Sequence, residues 1–431
     1  MTSPVWHPFT QHGLNEPIPR VARAEGAVLH LADGGTLIDC ISSWWVTTHG
    51  HCHPRIAAAI AQQAGRLDQL IFAGYTHEPA EAVARGLVDL APAAPDRPPL
   101  AHVFFSDSGS TAVEVALKMA LGYWYNRSLD GGPPPRSRIV VLEHSYHGDT
   151  IGTMAIGERG VYNAAWQPLL FDVGTIPFPA QGREHDCLTA LEAACAMREP
   201  PAAFIVEPLV LGAGGMLIYP AWVLREMAAI CARHDVLFIV DEVMTGWGRT
   251  GTLFACEQAG VVPDIMAVAK GITGGAIPLA ATLATPAIFE AHRSTDRARL
   301  FYHSSSYTAN PIACAAAAAN LAIWQEEDVL GRIAALADGM ARGLSQLSDH
   351  KAFANPRQLG AIGAIDLSAS DAGYLSDLAP ALRAFFLERG LLLRPLGNTI
   401  YLMPPYCLAP GQLDRIFVAL AEAGDRFGIS D

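Results

Sequence analysis

Val236-Leu237-Phe238-Ile239-Val240-Asp241 and Asp264-Ile265-Met266-Ala267-Val268-Ala269-Lys270-Gly271 are two apolar runs that each stop at a charge, and Lys270 stands 29 residues after Asp241. Short continuous apolar runs read as strands buried on both faces, the pattern of a parallel sheet. The interval has room for the crossover that joins parallel neighbours. Taken singly, each charge is only a strand returning to water. Taken together, they place an amine and a carboxylate at neighbouring strand ends, on the side where open α/β sheets bind ligands. Both groups are therefore expected to face one crevice.

Outward from this pair, residues 100 to 310 alternate strands with helices, which predicts a mostly parallel sheet covered on both faces. Strands are expected at His102 to Phe105, Arg138 to Leu142, Ala203 to Val206, Val236 to Val240 and Ile265 to Ala269. Helices are expected at Thr111 to Tyr125, Ala221 to His234 and Ile312 to Gln325. The proline-rich stretches Ala91 to Pro99 and Asp130 to Arg136 read as surface loops. After Gln325 the pattern changes, with strands expected at Gly360 to Leu367 and Thr399 to Met403. The expected division is an N-terminal segment of a small α+β domain (1–55), a large α/β domain (56–324) and the rest of the small domain (325–431).

A chain of 431 residues that is 51% hydrophobic and 16% charged has ample material for a large buried core. Its formal charge of −13 argues against nucleic acid or an anionic membrane as a general partner. The start, Met1 to Pro8, lacks a basic segment followed by an apolar one, and the stretch Ile312 to Trp324 is too short and alanine-rich to span a bilayer. Eight scattered cysteines without a Cys-x-x-Cys pair read as reduced thiols of a cytoplasmic protein. His49, His51, Cys52 and His53 have no matching ligand pair at zinc spacing, so no metal is expected.

Three further segments carry chemistry. Phe105-Ser106-Asp107-Ser108-Gly109-Ser110-Thr111 runs from strand through a small polar turn into a helix. Gly109 permits close backbone approach, and the amides at Ser110 and Thr111 suit a phosphate dianion. Ser145-Tyr146-His147-Gly148-Asp149-Thr150 also follows a strand, so the Tyr146 ring can lie against a planar cofactor while Asp149 orients its neighbours. In Asp241-Glu242-Val243-Met244-Thr245-Gly246-Trp247-Gly248-Arg249, Asp241 directly ends the apolar run, Glu242 supports the turn, and Arg249 is expected to pair with an acid such as Glu207. A lysine, a carboxylate and a phosphate cup together point to pyridoxal 5′-phosphate. The lysine can condense with the aldehyde, and the carboxylate can keep the pyridine nitrogen protonated.

Asp241-Glu242-Val243, Gly248-Arg249-Thr250-Gly251, Lys270-Gly271, Tyr146-His147-Gly148 and Ser108-Gly109-Ser110 resemble the motifs of class III aminotransferases, pyridoxal-phosphate enzymes of fold type I. The resemblance covers nearly the whole chain and implies a homodimer with active sites at the interface. Trp6-His7-Pro8-Phe9-Thr10, Ser42-Ser43-Trp44-Trp45, Gly212-Ala213-Gly214-Gly215-Met216, Leu393-Arg394-Pro395-Leu396-Gly397 and Tyr401 to Tyr406 look most like the branch acting in biotin synthesis. That branch converts 8-amino-7-oxononanoate to 7,8-diaminononanoate, with S-adenosylmethionine or lysine as amino donor.

Carried over by position, the resemblance implies that Lys270 bonds the cofactor, Asp241 holds its pyridinium and Tyr146 stacks near cofactor and substrate. Gly109 and Ser110 would bind the phosphate, joined by Ser305 and Ser306, with Ser306 reaching it from the partner subunit. Phe9, Trp44, Trp45 and Ser304 would line the substrate pocket, and Arg394 would take the carboxylate of the oxo acid. Two departures stand out. Phe9 replaces a tyrosine usual in the adenosylmethionine-using members, and Ser304-Ser305-Ser306 replaces their Gly-Pro-Thr. Both segments look closer to the lysine-using branch, whereas Trp44-Trp45 looks closer to the other, so the donor stays open between the two.

Overall fold

The computed structural model describes residues 3–369 and 376–429. A seven-stranded sheet organises it: β1 (His102–Ser106), β2 (Ile139–Leu142), β3 (Gly174–Ile176), β4 (Ala203–Val206), β5 (Leu237–Asp241), β6 (Ile265–Val268) and β7 (Ala280–Ala284). Across the sheet the order is β1-β7-β6-β5-β4-β2-β3. β7 runs antiparallel to both its neighbours, and the other adjacent pairs are parallel. Every residue of β2, β4, β5, β6 and β7 is buried, which is what their unbroken apolar sequences require of strands covered on both faces.

Because the strands carrying Asp241 and Lys270 are parallel neighbours, their carboxyl ends share one edge. Asp241 pairs in register with Ala267, so Lys270 begins three residues further on, in the turn Lys270–Thr273. Lys270 has a φ of 48°, a left-handed conformation that is sterically unfavourable for a side-chain-bearing residue and occurs often at functional positions. The same edge receives Ser106, the segment following Leu142, and Glu207 after β4.

Outside this sheet, Val21–Glu25, Val28–Leu31 and Thr36–Asp39 form a four-stranded sheet with Leu391–Leu392, which joins the two ends of the chain. Phe353–Leu359, Ile362–Leu367 and Thr399–Leu402 form a three-stranded sheet against the helix Val329–Ser348. No helix among the described residues is long and apolar enough to cross a membrane.

The expected strands and helices occur, with shifted ends. The helix expected from Thr111 runs from Gly109 to Leu129 because Ser108 and Thr111 form a reciprocal cap. The strand expected from Gly360 starts at Ile362. Gly360 instead turns with a φ of 57°, and a Cβ there would lie 2.3 Å from the Thr250 carbonyl carbon. The antiparallel β7 was not expected; its Ala-Ala-Thr-Leu-Ala sequence lacks the β-branched run that marks a strand. Both proline-rich stretches are loops.

Candidate active site

At the end of β5, the Asp241 carboxylate is buried and held from two sides. Its Oδ1 accepts from the Val243 amide at 3.0 Å, and its Oδ2 lies 2.7 Å from His147 Nδ1. His147 comes from the segment after β2, so this contact joins two strand ends across β4. Among the described residues, His147 Nε2 is buried without a partner.

Lys270 is half-buried near the same carboxylate, and desolvation lowers its ammonium pKa to about 8, against the opposing pull of Asp241 and Glu207. Its Nζ sits 4.8 Å from the centre of the Trp45 ring. Trp45 is itself fixed by a 3.0 Å hydrogen bond from its indole nitrogen to the Tyr401 hydroxyl. The amine therefore rests on an aromatic floor beside two carboxyl groups, and it loses its proton far more readily than a surface lysine.

Glu207 ties the site together through backbone. Its Oε2 accepts from the Tyr146 amide at 3.1 Å and its Oε1 from the Gly212 amide at 3.0 Å. Burial raises its pKa to about 7, an effect that nearby His147 partly offsets. The Tyr146 phenol is held protonated by burial first and then by Asp149, which it also hydrogen-bonds.

The polar turn before the helix Gly109–Leu129 (α1) is shaped as a cradle. A Cβ on Gly109 would lie 2.5 Å from Val243 Cγ1, and one on Gly148, whose φ is +133°, would lie 2.1 Å from Ser110 Oγ. Ser110 Oγ accepts from the Asp149 amide at 3.1 Å, bringing the Tyr146 segment onto the helix start. Ser305 Oγ hydrogen-bonds Asp107 in the same turn. Ser304 and Ser306 are exposed, and the Ser306 carbonyl accepts from Gln69.

A second layer stands outside Lys270. Asp39 accepts from the Ser43 amide at 2.7 Å and from His51 Nε2 at 2.8 Å, fixing a bend that buries Trp45 and leaves Trp44 exposed. Phe9 packs on Trp44 with ring centres 5.5 Å apart and meets the edge of Tyr162 at 6.4 Å. Arg394 donates to the Phe9 carbonyl at 2.8 Å, and its guanidinium lies 5.6 Å from the Trp44 ring centre. Sequence reasoning named Phe9, Trp44 and Arg394 but missed Tyr162, which lies in an irregular loop. It also gave no role to His147 beside Asp241.

One expectation is corrected. Arg249 does not pair with Glu207; its buried guanidinium donates to the carbonyls of Thr47 (2.9 Å), Pro404 (3.1 Å) and Trp45 (3.3 Å). The bend at Trp45, with a φ of 66°, turns carbonyls inward, and a forked donor satisfies them. In the group His49, His51, Cys52 and His53, His49 bonds Asn320 at 2.9 Å and His51 bonds Asp39.

A half-buried amine of lowered pKa, a buried carboxylate backed by histidine, and a helix start lined by glycine match the three polar features of pyridoxal phosphate. These are its aldehyde, its ring nitrogen and its phosphate. The glycine cradle is what makes this chain's own atoms fit the group.

Comparison with known proteins agrees with this geometry. The family model described as aminotransferase class III matches residues 10–423. An adenosylmethionine-8-amino-7-oxononanoate aminotransferase from Synechococcus elongatus is 47% identical, covering 98% of each chain. One of the same name from Mycobacterium leprae is 40% identical over 98% of this chain and 95% of its own. The crystal structure of such an enzyme from Methanocaldococcus jannaschii superposes with a TM-score of 0.92 at 31% identity, covering 99% of this chain and 98% of that one. An amine transaminase from an uncultivated Pseudomonas species, solved in its PLP-bound form, gives 0.88 at 32% identity, covering 99% and 100%. The chain belongs to the class III aminotransferases.

Proposed function

We propose that this aminotransferase uses pyridoxal phosphate to convert 8-amino-7-oxononanoate to 7,8-diaminononanoate in biotin synthesis, with S-adenosylmethionine as amino donor. The observation that carries the reading is the convergence of Lys270, Asp241 and the His147 contact on one sheet edge beside the Phe9, Trp44 and Arg394 wall. The relatives that share this chain's length carry the name of that reaction.

When bound, pyridoxal phosphate supplies a protonated ring that spreads the negative charge developing on the reacting carbon. Lys270 holds the cofactor between turnovers. Lys270 would also be the base that takes the proton from the donor carbon and the acid that delivers one to the acceptor carbon. A pKa of about 8 suits both directions near neutrality. Asp241, steadied by His147 and the Val243 amide, keeps the proton on the ring nitrogen. Gly109 and Ser110 supply donors to the phosphate, with Ser305 and Ser306 alongside. Tyr146 covers the reacting face, Trp44 and Trp45 shape the cavity with Ser304 at its rim, and Arg394 receives the distant carboxylate through a charge-assisted fork. Donor and acceptor use this site in turn, so the kinetics are ping-pong.

A cytoplasmic homodimer and the division at residues 55 and 324 belong to the same reading. Support for the dimer comes from exposed Ile71, Tyr75, Tyr302 and Tyr307. They lie on two segments stitched together by bonds from Asn310 to Asp68 and from Gln69 to Ser306. Exposed apolar side chains grouped in this way suit burial against a second copy. The test of the function is product formation: purified enzyme given 8-amino-7-oxononanoate with S-adenosylmethionine, or with lysine, is assayed for 7,8-diaminononanoate by mass spectrometry. Formation with adenosylmethionine supports the proposal. Formation only with lysine reassigns the donor, and no product with either removes the reading.

A further inference from the structure

The loop that carries Tyr162 is tied to the end of β2. The Glu158 amide donates to the Ser145 carbonyl at 2.9 Å, and the buried Asn163 side chain bridges the Glu158 carbonyl (2.8 Å) and the Gly160 amide (3.0 Å). Tyr162 is thereby placed relative to Tyr146, the residue following Ser145. Together with Tyr146, Asp149 and Glu158 it lines a cavity of about 180 Å³. That is room for a small charged group rather than for a nucleoside; Glu158 there is paired with His144 at 3.1 Å, and Asp149, bonded to the neutral Tyr146 phenol, is the carboxylate that favours a cation.

Three rings stand in a row beside this cavity: Tyr162 meets Phe9, and Phe9 meets Trp44. Arg394 sits at the Trp44 end of the row and the acidic cavity at the Tyr162 end. The arrangement is complementary to a molecule with an ammonium at one end, a carboxylate at the other and an aliphatic chain between. Phe9, in the middle, has no polar atom on its side chain.

We propose that Tyr162 determines acceptor preference, its phenolic oxygen accepting a hydrogen bond from the ammonium that the acceptor carries beside its ketone. The inference rests on the acceptor named under the proposed function. It adds a recognition element for one end of that acceptor, on a loop outside every motif quoted from the sequence.

The test compares Tyr162→Phe with the unaltered enzyme in the acceptor half-reaction, using 8-amino-7-oxononanoate and its analogue without the amine, 7-oxononanoate. Phenylalanine keeps the ring that packs on Phe9 and removes only the hydroxyl. The expected result is a fall in kcat/KM of about tenfold or more for the amino-bearing acceptor and a change of less than about twofold for the analogue. Where the analogue turns over too slowly, its inhibition constant against the amino-bearing acceptor supplies the same comparison. An equal fall for both compounds, or no change for either, overturns the assignment. If the unaltered enzyme uses neither compound, the proposed function itself falls, and this is seen before any variant is made.

Discussion

His147 Nδ1 lies 2.7 Å from Asp241 Oδ2, and both side chains are buried at the carboxyl edge of the central sheet. The bond joins residues 94 positions apart in sequence. It leaves one carboxylate oxygen to the Val243 amide, so both oxygens are held, and the carboxylate is close enough to Lys270 to favour its charged form.

From this contact, His147→Ala is expected to lower kcat about ten- to a hundredfold, the effect of losing a buried charge-assisted bond of about 1.5–3 kcal/mol. Lys270 remains able to bind cofactor, so the cofactor's absorbance should persist while its pH titration shifts. Stopped-flow half-reactions and a spectral titration check this. Unchanged turnover in His147→Ala would leave the histidine a packing role only.

Lys270 sets a pH dependence. Its pKa falls to about 8 through burial, against the opposing effect of Asp241 and Glu207, and only the neutral amine attacks an aldehyde. Cofactor uptake by the cofactor-free enzyme should therefore accelerate about tenfold per pH unit below 8 and level off above it. Uptake that keeps accelerating towards pH 10 would mean the amine behaves as an ordinary exposed lysine.

Arg394 anchors the Phe9 carbonyl and borders Trp44. In Arg394→Ala the acceptor half-reaction should slow about a hundredfold, in line with loss of a charge-assisted pair, while the donor half-reaction changes much less. Arg394→Lys restores the charge without the fork and should recover only part of the loss. Equal losses in both half-reactions would assign the residue to holding Phe9 in place.

Gly109 tests the phosphate cradle. A Cβ at this position would press to 2.5 Å from Val243 Cγ1, so Gly109→Ala should weaken cofactor affinity at least about tenfold, a cost of about 1.4 kcal/mol. The helix cap made by Ser108 and Thr111 is untouched, so the secondary structure should stay intact. Equilibrium dialysis with pyridoxal phosphate, alongside circular dichroism, separates the two effects.

Much of this was legible in the sequence because it rests on local signals. The apolar runs ending at Asp241 and Lys270 imply buried parallel strands, and Ser108 to Thr111 is a cap motif with a glycine where a side chain would collide. What escaped depends on where distant backbone comes to rest. Arg249 answers carbonyls exposed by the bend at Trp45, and the partnership of His147 with Asp241 exists only once β2 and β5 lie in one sheet. Tyr162 sits in a loop without periodicity, and β7 is written in small residues that a helix would accept as readily.

The chain contains three lysines, Lys118, Lys270 and Lys351. Borohydride reduction of the cofactor-loaded enzyme, followed by peptide mass spectrometry, should place the phosphopyridoxyl label on Lys270 alone. Prior incubation with amino donor should abolish that label as the cofactor takes up the amino group. Label on Lys118 or Lys351, or label on Lys270 that the donor leaves unchanged, would contradict a site built on Lys270 and Asp241.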